Sequence, residues 1–181
     1  SSSSAASDVY KRQDWDRACT GLLEAPKDTI DLGPATGYDQ YWGNQPSSHC
    51  MGQSEQEAWT DGSRQLLPTE DGGKALFVGA GAASTIPQLN FEFQVRGERV
   101  VIRGEMAGAT EVVVRADRTK SLTIFTDCMT LLQIVTRWTR GDFTPYEEDE
   151  QHWDILSVLL QGLRDRTAEG AQTLIVWVKA H

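Results

Sequence analysis

Leu89-Asn90-Phe91-Glu92-Phe93-Gln94-Val95 alternates apolar and polar residues without a break, and shortly afterwards Met106, Ala109, Val113 and Ala116 recur at helical spacing. The first pattern buries one face of a strand and the second buries one stripe of a helix. The chain therefore passes from a strand to a helix of about Gly104 to Asp117. Arg96-Gly97-Glu98 interrupts the alternation, and Arg99 to Ile102 reads as an extension of the strand.

Two strand patterns precede this stretch. Ala58-Trp59-Thr60-Asp61 reads as a short strand ending at Gly62, and Ala75 to Thr85 as a second, with Pro87 in the turn that follows. Downstream, Leu122-Thr123-Ile124-Phe125-Thr126 is rich in β-formers. Cys128, Leu131, Leu132, Val135 and Trp138 mark a second helix, which Gly141 to Pro145 breaks. A third helix starts in Glu147-Glu148-Asp149-Glu150, where carboxylates suit the positive helix end, and buries Trp153, Leu156, Leu160 and Leu163. Leu174 to Val178 is the last strand. Short links between the first three strands imply antiparallel neighbours, and helical crossovers imply parallel pairing for the fourth and fifth. The expected class is α/β, a five-stranded mixed sheet with helices on both faces.

Three carboxylates occupy special places on this plan. Asp61 lies in Thr60-Asp61-Gly62-Ser63 of the first strand, Glu105 opens the first helix, and Asp127 ends the fourth strand. If the first and fourth strands are neighbours, Asp61 and Asp127 meet, and Glu105 joins them from the intervening helix. Converging carboxylates repel unless cations intervene, and hard oxygen ligands suit Mg²⁺ or Mn²⁺. Taken singly, each has a plainer account: a turn, a first-turn acid and an N-cap.

In this order and on these elements, the three acids resemble the ribonuclease H family. Thr60-Asp61-Gly62-Ser63 is similar to its opening motif, and Arg103-Gly104-Glu105-Met106-Ala107-Gly108 to its helix start. Phe125-Thr126-Asp127-Cys128 resembles the motif after its fourth strand, and Ile175-Val176-Trp177-Val178-Lys179-Ala180-His181 its last strand and histidine loop. The resemblance covers about Trp59 to His181. It implies hydrolysis of the RNA strand of an RNA–DNA hybrid with two divalent ions. Asp61, Glu105 and Asp127 would be the ligands, Asp61 bridging both ions, and His181 would assist proton transfer or product departure.

The resemblance has gaps. The family's fourth ligand, an Asp on a helix beyond the histidine, has no counterpart before the end at His181. The expectation is a domain lacking its C-terminal helix, with weakened activity. Val101 and Ile102 stand where some members carry the Asn residues that sense the RNA 2′-hydroxyl. Met129 stands where a polar residue is frequent. The stretch from Arg140 to Tyr146, followed by acids, replaces a basic protrusion. This implies tethering to another nucleic-acid-binding module, such as the reverse transcriptase domain of a retroelement. Two alternatives stay open: a catalytically inactive docking module of the same fold, and a transposase or integrase core. Those cores use a Glu on a later helix, whereas Glu105 already lies between the third and fourth strands.

Charge and composition bound the rest. The 181 residues carry a formal charge of −9, with 17 Lys and Arg against 26 Asp and Glu. That argues against a strong stand-alone nucleic-acid binder, whose affinity comes from neutralising phosphate, and shifts the burden to metal ions, local groups or a neighbouring domain. No apolar run is long enough to span a bilayer, and no secretory pattern is present, so no membrane is expected. Cys19, Cys50 and Cys128 are odd in number and far apart, which argues against a disulfide framework and for an intracellular, reducing compartment.

Residues 1–13 are read as lying outside the fold and disordered. Ser3 to Gln13 corresponds codon by codon to a translated sequencing adapter, and no initiating Met precedes it. Residues 14–54 read as a poorly ordered lead-in punctuated by Gly and Pro, and the domain as 55–181. His49-Cys50 has no partner at zinc-site spacing.

Overall fold

The computed structural model describes residues 38–41, 54–139 and 146–178. Its strands are β1 (Tyr38–Tyr41), β2 (Gln56–Pro68), β3 (Lys74–Ala83), β4 (Phe91–Val95), β5 (Leu122–Thr126) and β6 (Thr173–Trp177). The helices are α1 (Val101–Arg115), α2 (Met129–Thr139), α3 (Glu147–Gln151) and α4 (Trp153–Ala168), with a 3₁₀ turn at Pro87–Leu89. The strands form one sheet in the order β1-β6-β5-β2-β3-β4. The five strands expected from the sequence are β2 to β6. β2, β3 and β4 are antiparallel neighbours, and β5 pairs parallel with both β2 and β6. A sixth strand, β1, lies parallel to β6 with Tyr38 opposite Thr173. It comes from a stretch read as lead-in; the adapter-like segment, His49, Cys50 and Cys19 lie outside the described residues.

Strand parity splits the core in two. Ala58, Ile124 and Ile175 face one way and share a core with Met106, Val113, Leu131, Leu156 and Leu160 of the helices. Apart from Ala58, each of these buried side chains contributes roughly 1.5–3 kcal/mol. Phe125, Leu174 and Val176 face the other way, in a separate cluster with Trp59. Helices are expected on both faces; among the described residues, their buried side chains join the core on the first face only.

Four expectations shift. β2 does not end at Gly62 but runs on to Pro68, because β3 pairs with it as far as Lys74 opposite Pro68. Leu89 is buried in the 3₁₀ turn, and the strand proper begins at Phe91. Arg99 to Ile102 does not prolong β4. Gly97 adopts φ +101 and turns the chain, and α1 begins at Val101. The third helix is two, since His152 leaves helical geometry at φ −116°, ψ 19°. The His152 carbonyl instead accepts from the N–H groups of Ile155 and Leu156 at 3.0 and 2.9 Å, which starts α4. The expected break from Gly141 to Pro145 lies outside the described residues.

Candidate active site

Parallel pairing of β2 with β5 carries Asp61 to Asp127. The last paired residues are Trp59 and Phe125, whose rings stack at 4.5 Å with 12° between planes. Two residues further along each chain stand Asp61 and Asp127. Thr60 Oγ1 donates to Phe125 O at 3.3 Å and ties the two strands just below the acids. The Asp127 carbonyl accepts from Trp177 Nε1 at 3.2 Å, and Val178 N–H donates to Thr126 O at 2.8 Å. β6 thus fixes the segment that carries Asp127.

Glu105 arrives from above. By strand parity Asp61 belongs to the face away from α1, so a side chain at Gly62 would stand between α1 and the strand. A Cβ there would lie 2.6 Å from Glu105 N and 2.9 Å from Gly104 C. One at Gly104 would lie 2.5 Å from Gly79 O. Glycines on both partners let the helix backbone settle onto β2 and β3. Glu105 then reaches across Gly62 to the two aspartates.

The three carboxylates each offer an oxygen within 4.8 Å of the other two. Asp61 is exposed, Asp127 half-buried and Glu105 buried. Burial lifts the Glu105 carboxyl to about 7, against the pull of the Gly62 N–H and with Asp127 and Asp61 adding to the rise. Burial and the Asp127 charge also raise Asp61. Glu105 Oε2 is buried with no hydrogen-bond partner. An unpartnered buried carboxylate oxygen is costly, and a divalent cation, if all three acids held one, would remove that cost. The donor set is all oxygen, which fits Mg²⁺ or Mn²⁺. Asp61 also borders an open cleft of about 630 Å³ whose lining includes Ser63, Gln65, Glu92 and Gln94.

The sequence therefore singles out three acids that the fold brings together, and His181 lies outside the described residues. It does not single out Gly62 and Gly104, which let the acids meet, or Trp177, which holds the Asp127 backbone. The Gly104-x-x-x-Gly108 spacing was the available signal for a helix lying close on a sheet.

The RNase H family model matches residues 53–181. The chain belongs to the RNase H family, a family of nucleases that generally use divalent metals. Similar solved structures include the solution structure of the PFV RNase H domain, 15% identical, covering 73% of this chain and 83% of that one, with a TM-score of 0.46. The foamy viral protease-reverse transcriptase in complex with dsDNA is 17% identical over 71% of this chain and 84% of that one, with a TM-score of 0.44. The N-terminal RNase H domain of rv2228c from Mycobacterium tuberculosis, as a fusion with maltose binding protein, is 11% identical over 68% and 88%, with a TM-score of 0.38. No curated protein matches the chain.

Proposed function

We propose that this domain hydrolyses the RNA strand of an RNA–DNA hybrid, using divalent cations held by Asp61, Glu105 and Asp127. One observation carries the reading: three carboxylates from β2, α1 and the end of β5 converge within 4.8 Å. Left without a counter-charge, such a cluster opposes folding, and a buried Glu105 with a free oxygen opposes it further. Bound there, two Mg²⁺ or Mn²⁺ ions supply the positive charge that favours attack by water and departure of the 3′ oxygen.

The protein's own part is positioning. Asp61 is paired with Gly81 of β3, two residues past the last β5 pair of Trp59 with Phe125, which fixes its backbone. Glu105 is held by the helix-to-sheet contact at Gly62, and Asp127 by Trp177. The cleft beside Asp61 gives a phosphodiester room to approach from the exposed side. With a formal charge of −9, the chain relies on the cations and on covalently attached modules to hold nucleic acid. A linked reverse transcriptase domain is the partner we favour, in an intracellular setting. Residues 55–181 are the catalytic domain in this reading, and His181 assists proton transfer from the segment after β6.

The test is a single-turnover assay with protein in excess over a hybrid labelled on both strands, with Mg²⁺ or Mn²⁺. The RNA strand is cut, the DNA strand stays whole, and Asp61→Asn abolishes cutting. Cleavage that survives Asp61→Asn, or that consumes both strands equally, contradicts the proposal.

A further inference from the structure

Two residues before Glu105 sits a buried cation that the hydrolytic chemistry does not use. Arg103 is 2% exposed and lies in the first turn of α1. Its guanidinium forms a fork-to-fork pair with Asp154 at the start of α4, NH1 to Oδ1 at 2.9 Å and NH2 to Oδ2 at 2.5 Å. Its Nε donates to Arg96 O at 2.6 Å, in the turn after β4. NH1 also faces His152 Nδ1 at 3.5 Å, at the break between α3 and α4. One side chain therefore ties together the turn after β4, the beginning of α1 and the junction of α3 with α4.

The surroundings are shaped for that guanidinium. Gly97 lacks the Cβ that would stand 2.7 Å from Arg103 Cζ, Nε and NH2. His152 is fully buried and departs from helical geometry at this point. A ring nitrogen that accepts from Arg103 carries no proton, so the imidazole is neutral and leaves the Arg103 charge to Asp154. A buried ion pair is weak as a stabilising device, because desolvation offsets most of its attraction. A bidentate pair is strong as a geometric constraint, because planar fork and carboxylate fit in one orientation.

We infer that Arg103 and Asp154 are positioning residues for the metal site, locking the first turn of α1 so that Glu105 meets Asp61 and Asp127. This rests on the metal reading proposed above. Glycine contacts at Gly62 and Gly104 set how close α1 approaches the sheet. They have no side chains with which to resist sliding or rotation of the helix. The Arg103 fork resists both, because its partners lie on two separate segments, the turn after β4 and the start of α4. Glu105 follows by a rigid helical step, so its carboxylate inherits the setting. Removing groups that orient metal ligands weakens metal binding by about 10–100-fold.

The test separates orientation from stability. Two variants are compared with the wild-type chain: Arg103→Lys, which keeps the charge and loses the fork, and the double variant Arg103→Met with Asp154→Leu. The double variant replaces the pair by apolar side chains, a change that often leaves stability intact. Mn²⁺ affinity is read from the electron paramagnetic resonance signal of the free ion, and thermal midpoints are recorded alongside. The inference predicts that both variants fold, the double variant melting lower only through the lost contacts to Arg96 O and His152 Nδ1, and that both bind Mn²⁺ about 10–100-fold more weakly. Wild-type Mn²⁺ affinity in either folded variant overturns it. A wild-type chain whose Mn²⁺ binding is absent, or is indifferent to Asp61→Asn, instead overturns the metal reading and this inference with it.

Discussion

Gly62 and Glu105 are in backbone contact across the helix–sheet boundary: a Cβ at Gly62 would lie 2.6 Å from the Glu105 nitrogen. The approach is closer than any side chain permits, so the position of Glu105 depends on residue 62 having none. Gly62→Ala must push α1 away from β2. The expected cost is about 1–3 kcal/mol of stability, typical of overpacking. Mn²⁺ affinity should fall with it, because Glu105 moves with the helix. Urea denaturation and Mn²⁺ titration check both effects. A Gly62→Ala protein with wild-type stability would show that the helix does not sit where the structure has it.

Glu105 also makes a pH prediction. Its carboxyl is raised from 4.5 to about 7 in the folded protein. Without metal, the folded state keeps a proton that the unfolded chain has released between those two values. Stability from this group therefore falls as pH rises from about 4.5 to about 7, by at most about 3 kcal/mol. Asp61, also raised, acts in the same sense. His152 acts in the opposite sense: burial first and the Arg103 charge second lower its pKa, so charging it at low pH favours the unfolded chain. The clean comparison is wild type against Glu105→Gln in EDTA, by urea denaturation at pH 5 and pH 7.5. The wild type should lose stability relative to the variant as pH rises, and Mg²⁺ should abolish the loss. An unchanged difference at the two pH values would contradict the burial of Glu105.

A control lies at the far end of the sheet. Arg166 is fully buried, and donates to Thr173 Oγ1 at 2.8 Å, Asp117 O at 2.8 Å and Lys120 O at 2.5 Å. Burial lowers its pKa to about 10. It pins the turn before β5 to the start of β6, opposite the strand ends that carry the acids. Arg166→Met leaves those acceptors without this donor and should cost roughly 2–5 kcal/mol. In the folded protein, Mn²⁺ affinity should stay at the wild-type value. Loss of affinity together with stability would mean that any destabilisation disturbs the site, and that the Gly62 and Arg103 effects are not local.

The order of elements and the three acids could be read from the chain, because strand alternation and helical spacing are local patterns. What could not be read depends on packing. Gly62 looks like a strand terminator, since glycine usually marks a turn; only the position of α1 shows that it is there for close approach. Val101 and Ile102 are β-branched and look like strand. They open a helix because Gly97 turns the chain and Arg103 anchors that turn. His152 lies within a run of helical spacing, yet its backbone breaks where the ring faces the Arg103 guanidinium. The register of β2 against β5, which brings Asp61 to Asp127, is a tertiary property that no local pattern encodes.

The central claim is that Asp61, Glu105 and Asp127 together hold divalent cations. The most direct measurement is anomalous diffraction at the manganese edge from crystals grown with Mn²⁺. The account predicts an anomalous peak at about 2.0–2.3 Å from an oxygen of each of the three side chains. A map with no peak among them, or with the three carboxylates turned apart, would contradict it.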